Sequence, residues 1–230
     1  LMELGFIMLE KGESELPDMK SFLDLFVKGL KEEERVYGDV LISMIIKYIL
    51  RAVTKLTGES PTEDIKTLDD VAAYLLSKSD KVRPDYIIIW AQFVTINKLE
   101  GALGVGEHIL DMGISKFIIE KMGNHLVGLD VDSVILAARD IMLKMKIAPI
   151  EMGYRKNNEE NVDIIYKNCY LHDGCQLSIK TGLSKRPDGR MVCGFSACIC
   201  KLLEKATGKK WDYTVTFFEK PLCIFNCFKT

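Results

Sequence analysis

The chain reads as an α+β protein: an N-terminal helical region packed with a C-terminal four-stranded antiparallel sheet and one crossing helix. Apolar residues recur at helical spacing through the first two thirds, and alternation with period two begins only near Ile147. All seven cysteines lie between Cys169 and Cys227. Charge divides at nearly the same place, with 18 basic and 24 acidic side chains in residues 1–148 against 13 and 9 in residues 149–230. These shifts separate a helical region, 1–146, from a cysteine-rich region, 147–230. With 230 residues, 48% of them hydrophobic, the chain is long enough and apolar enough to bury a sizeable core.

Pro17-Asp18 opens a first helix through Phe22, Leu23, Leu25, Phe26 and Leu30, and the charged run 31–35 ends it as a solvated face. Val36, Val40, Leu41, Met44, Ile45, Tyr48, Ile49 and Ala52 form the stripe of a second helix. Ile42, Ile46 and Leu50 widen that stripe over most of the circumference, which places the helix centrally or at a dimer interface. Thr67-Leu-Asp-Asp70 has the spacing of a capping box, ahead of Val71, Ala72, Leu75 and Leu76. Residues 86–96 are read as a buried helix with Trp90 and Phe93 on one face. Residues 109–122 give another helical stripe, with Gly106 and Gly113 on its inner side. Gly101, Gly104 and Gly106 have the wrong spacing for a dinucleotide loop, and no clear strand precedes them. Asp130 or Asp132 caps the last helix of this region, 131–145.

Alternation then predicts two strands, 147–154 and 162–170, joined by the polar turn Lys156-Asn157-Asn158-Glu159. Residues 171–190, with Gly174, Gly182 and Pro187-Asp188-Gly189, read as a long excursion holding at most one short strand. Residues 192–206 form the crossing helix, stopped by Gly208. Trp211, Tyr213, Val215 and Phe217 alternate as a third strand, Lys220-Pro221 breaks it, and 222–228 returns as the fourth.

A near balance of 31 basic and 33 acidic side chains argues against direct nucleic-acid binding. The longest nearly uncharged stretch, 86–97, is well short of the roughly 20 residues a membrane-spanning helix needs. The opening nine residues carry Glu3 and lack a basic leader, so a secretory signal is a poor reading and the expected location is cytoplasmic. No Ser-His-Asp order, paired-carboxylate motif or phosphate loop is present, and His108 and His125 read as helix-face and turn residues.

An odd number of cysteines in such a chain argues against a disulfide framework and leaves metal ligation, reactive thiols or small buried side chains. Tetrahedral zinc needs its sulfurs roughly 3.7 Å apart, whereas positions i and i+4 of a regular strand are about 13 Å apart. Cys223 and Cys227 therefore share an ion only if Phe225-Asn226 makes a tight turn; otherwise they line one buried face. Cys198 and Cys200 read as packing. Cys169, His172 and Cys175 are candidate ligands for a borderline-soft metal, with Cys175 ranked first.

Residues 147–230 resemble the 4-vinyl reductase domain family, small-molecule-binding modules of archaeal hydrocarbon-binding proteins and of some aromatic-responsive regulators. Val192-Cys193 opening a helix, Thr207-Gly208 closing it, a strand, and then Phe218-Glu219-Lys-Pro-Leu-Cys223-Ile-Phe-Asn-Cys227-Phe228 carry the resemblance. It implies a zinc site on Cys193, Glu219, Cys223 and Cys227. Glu219 stands four positions ahead of Cys223, a wider gap than the family's, and the Cys223–Cys227 spacing lacks the longer glycine-containing loop of many members.

The leading expectation is a cytoplasmic protein enclosing a hydrophobic or aromatic small molecule, with Trp90, Phe93, Trp211 and Phe217 as wall residues and a structural zinc site. One alternative is a redox enzyme whose thiols hold an iron-sulfur cluster and which acts on a tetrapyrrole-like vinyl group. Another is a homodimeric interaction scaffold, since the fold resembles that of vesicle-tethering subunits and helix 36–55 is apolar nearly all round.

Overall fold

The computed structural model describes residues 5–9, 19–61, 64–84, 87–88, 91, 95, 123–144, 151–169, 171–180, 190–191 and 193–230. The chain forms two compact units: Leu1–Pro17 with Ile114–His172 and Arg190–Thr230, and Asp18–Gly113 with Asp173–Gly189. We call them the sheet unit and the helical unit. No described helix is long and apolar enough to cross a membrane.

Three helices with described ends, α1 (Met19–Tyr37), α2 (Asp39–Thr57) and α3 (Leu68–Ser77), build the helical unit. The charged run 31–35 lies inside α1 instead of ending it. Gly38, with φ +75°, separates α1 from α2, so the second helix begins at Asp39 and not at Val36. Leu41, Ile42, Ile45, Ile46, Ile49, Ala52 and Val53 of α2 are buried, and Ser43, Lys47 and Arg51 are exposed, so its apolar breadth is used within its own unit. The capping box forms: Thr67 Oγ1 accepts from the Asp70 amide at 3.1 Å, and Asp70 accepts from the Thr67 amide at 2.9 Å. Of the stretch 86–96, Ile87, Ile88, Ala91 and Thr95 are described as helical and buried. Trp90, Phe93, Gly106, Gly113 and the helix expected at 109–122 lie outside the described residues.

In the sheet unit, β1 (Ile7–Met8), β2 (Glu151–Asn158), β3 (Asn161–Lys167), β4 (Trp211–Glu219) and β5 (Leu222–Lys229) form one antiparallel sheet in the order β1-β2-β3-β5-β4. The fold class is α+β as expected, but the sheet has five strands rather than four. The added edge strand comes from the apolar opening segment, whose two residues are too few to show a period. Gly153 makes room for it, since a Cβ there would meet Met8 Sδ at 2.7 Å and the Ile7 carbonyl at 2.9 Å.

The expectation of one crossing helix is also corrected. Helix α4 (Val131–Lys144), capped by Asp130 accepting from the Ser133 amide at 2.7 Å, packs against a second helix, α6 (Gly194–Thr207), which lies against β4 and β5. Between them in sequence, α5 (His172–Lys180) occupies the first half of the expected loop. Gly208 ends α6 in the left-handed conformation, and Trp211 ties that end to β4 by donating Nε1–H to Thr207 Oγ1 at 3.1 Å.

Directly opposed residues of an antiparallel sheet share a face. Tyr154, Val162, Ile164, Tyr166, Cys223, Phe225, Cys227, Trp211 and Tyr213 thus form the inner face, and α6 lies on it. On the outer face Asp163 is buried and accepts from Arg155 Nη2 at 2.6 Å, Asn226 Nδ2 at 2.7 Å and Asn157 Nδ2 at 3.1 Å.

Candidate functional site

Three cysteines reach one corner of the inner face from three segments. The first arrives where β3 leaves the sheet. Asn168 adopts φ 56°, and its N–H donates to the Pro221 carbonyl at 2.8 Å, which brings Cys169 beside the β4–β5 turn. The Cys169 carbonyl accepts the His172 N–H at 3.1 Å, opening α5. The second, Cys193, is the N-cap of α6, and its own N–H donates to Tyr213 Oη at 3.0 Å. Arg190, paired with Asp212 Oδ2 at 2.7 Å and lying over the Phe228 ring, holds the approach to Cys193 against the sheet. The third, Cys223, stands on β5 between Tyr166 of β3 and Phe218 of β4.

Aromatic rings surround these thiols. Tyr166 is 1% exposed, with its ring centroid 5.7 Å from that of Phe195 and 5.4 Å from that of Phe225. Its hydroxyl finds no hydrogen-bond partner among the described residues. His172, also buried, stacks flat on Phe218 at 4.4 Å, and Phe218 faces Cys223 across the strands.

Burial dominates the electrostatics. It pushes the Cys169 thiol up to about 12, Cys193 adding to the rise while the Leu171 and His172 amides oppose it. Cys223 is raised by burial and then by Cys193 and Cys169. Cys193 is raised by burial against the opposing pull of the Ser196 and Phe195 amides at the start of α6, and Cys227 adds a smaller upward push. Those amides, facing the sulfur from the first turn of the helix, favour the thiolate. Cys169, Cys193 and Cys223 thus lie within electrostatic reach of one another, with Cys193 also near Cys227. Among the described residues no three His, Cys, Asp or Glu side chains already meet where an ion would sit. Without an ion, buried thiols of this kind are neutral and poor nucleophiles.

Cys193 lies within electrostatic reach of Cys223 and of Cys169. The tight turn at Phe225-Asn226 is not present: β5 runs through it in regular register, with Cys223 opposite Tyr166 and Cys227 opposite Val162. A regular strand holds those two positions about 13 Å apart. Cys227 is fully buried beside Tyr213, and Cys198 and Cys200 are buried along α6. Glu219 is exposed opposite Leu222, on the face away from Cys223. Cys175 lies in α5 within the helical unit. Trp211 is buried on the inner face, whereas Phe217 stands opposite Ile224 on the outer face and is 40% exposed, so these two do not share a wall. A bulge between Val215 and Phe217 produces that split.

Cys169, ranked below Cys175 in the sequence, and Tyr166, given no site role there, both stand at this corner. The signal for Cys169 was its spacing from His172, three residues that become the first turn of a helix. No family model, curated protein or solved structure matches the chain.

Proposed function

We propose that the chain is a cytoplasmic binding module for a hydrophobic or aromatic small molecule, of the 4-vinyl reductase type, whose sheet unit is braced by a thiol-held zinc ion. One observation supports the reading best: half-buried Cys169 and Cys193 and buried Cys223, from three separate segments, lie within electrostatic reach of one another at one corner between the sheet and the start of α6. Zinc bound by thiolates is a structural brace, because it ties together elements that otherwise meet only through side-chain packing. A reducing compartment keeps such thiols available.

Elemental analysis of the chain purified without chelator tests the metal half, with one zinc per chain expected and lost on Cys193→Ser. Chelation should lower the melting temperature. A chain that neither retains zinc nor takes it up on addition would sink the reading. The ligand half is tested by quenching of tryptophan fluorescence with naphthalene as the probe, expected to saturate at one site per chain. A strictly linear response would remove it.

A further inference from the structure

Tyr154, Tyr166 and Tyr213 stand on the inner face of the sheet, and two of the three have partners for their hydroxyls. Tyr213 Oη accepts the Cys193 N–H at 3.0 Å, and Tyr154 bonds Asp132. Tyr166 Oη is buried without a partner among the described residues, and so is Ser196 Oγ in the first turn of α6. We infer that the hydrophobic ligand of the sheet unit carries a neutral carbonyl oxygen, as in an aryl ketone, which accepts hydrogen bonds from Tyr166 and Ser196 at the start of α6. This rests on the ligand half of the reading above and goes beyond it by naming the ligand's polar group and the two residues that select it.

The two hydroxyls belong to neighbouring elements. Tyr166 projects from β3 toward α6, and its ring centroid lies 5.7 Å from that of Phe195, the residue before Ser196. Ser196 is fully buried and begins the row Ser196, Ile199, Cys200 and Leu203 along the inner side of α6. A hydroxyl buried alone forfeits the bonds it made to water, and native folds retain few such groups. Packing does not call for them here, since Phe in place of Tyr166 and Ala in place of Ser196 would fill nearly the same space without that cost.

The surroundings decide what a ligand must offer. Both hydroxyls can donate, and the positive end of the 14-residue α6 favours an electron-rich atom before its first turn. The nearby inner-face positions of β3 and β5, Ile164, Tyr166, Cys223 and Phe225, are uncharged. An ionised carboxylate would therefore be buried without a countercharge on that face, a cost that a neutral carbonyl avoids. Phe195 and Phe225, at 5.7 and 5.4 Å from the Tyr166 ring, supply apolar contact for the rest of the molecule. Access is short: Phe195 is half-buried against Tyr166, and Gly194 before it is exposed, with open space where a Cβ would stand. Rotation of Phe195 between staggered wells is the motion that uncovers the two hydroxyls.

Equilibrium dialysis of the full chain against naphthalene, methyl naphthyl ketone and naphthoate tests the inference. The ketone should bind about 10-fold more tightly than naphthalene, and naphthoate more weakly than the ketone. Tyr166→Phe and Ser196→Ala should each lower ketone affinity about 3- to 10-fold and leave naphthalene affinity within about twofold, and the double variant should bind the two alike. In the free chain Tyr166→Phe should melt no lower than the wild type, because the hydroxyl removed has no bond to lose; a clear drop would mean that it is already partnered and overturns the inference. Equal wild-type affinity for ketone and naphthalene, a ketone preference that survives the double variant, or tighter binding of naphthoate overturns the carbonyl assignment and leaves the ligand reading standing. Absence of saturable binding by all three probes overturns both.

Discussion

Inside the helical unit, Leu23, Leu30, Ile45, Ile49, Val53, Val71 and Leu75 make an aliphatic core, the buried Thr95 hydroxyl bonds back to the Ala91 carbonyl, and the Tyr74 hydroxyl is buried without a partner among the described residues. The sheet unit instead buries Asp163, His172, Ser196, Tyr166 and several thiols among its apolar residues. Aliphatic burial is non-directional and stabilises in proportion to area. Buried polar groups contribute only when each finds its partner. Among the described residues the first unit's core is thus mainly apolar, and the second mixes polar groups and thiols into its core.

The contrast is open to direct attack. The largest effect is expected from Ile49→Ala, fully buried in α2, at about 2–5 kcal/mol of lost stability in urea denaturation. Next is Asp163→Asn, which should cost about 1–3 kcal/mol at neutral pH. Burial pushes the Asp163 carboxyl up, but Asn226, Arg155 and Asn157 together outweigh it and hold it below its ordinary value. A depressed folded value means the contribution is present above about pH 4, the unfolded value, and is lost as pH falls through the lower folded one. The variant should accordingly flatten the acid limb of the stability curve, and an unchanged limb would show that another carboxylate is responsible.

Gly153→Ala follows, at about 1–3 kcal/mol, because the new methyl must displace backbone of β1 as well as Met8. Hydrogen exchange should speed up at the Leu9 amide, which donates to the Met152 carbonyl. The smallest effect belongs to Glu59→Gln. Hydrogen bonds from Lys78 and Lys81 hold the Glu59 carboxyl at about 2, yet the group lies at the surface where water and salt screen it, so its removal should register only at low salt. Titration of the Glu59 carboxyl by NMR checks the first half of that statement.

The features legible in sequence were those encoded locally. The α2 stripe, the Thr67–Asp70 box, the Gly208 stop and the alternation of Trp211, Tyr213 and Val215 each need only their neighbours. What escaped depends on partners far along the chain. β1 has two residues and exists because β2 lies beside it. α5 has a glycine in its first turn and few apolar residues, so it reads as loop. The turn that joins Cys169 and His172 belongs to that same helix. The bulge at Val215/Phe217 likewise turns Phe217 to the outer face, against the simple alternation that grouped it with Trp211.

The order of strands has a consequence for biosynthesis. β5 is inserted between β3 and β4, so the free edge of β3, ending at Lys167, waits for a partner that starts at Leu222. At roughly 5–20 residues per second on the ribosome, the nascent hairpin presents an open ladder rich in isoleucine and valine for several seconds. Shielding by a chaperone over that interval would serve this topology more than it would a sheet assembled in sequence order.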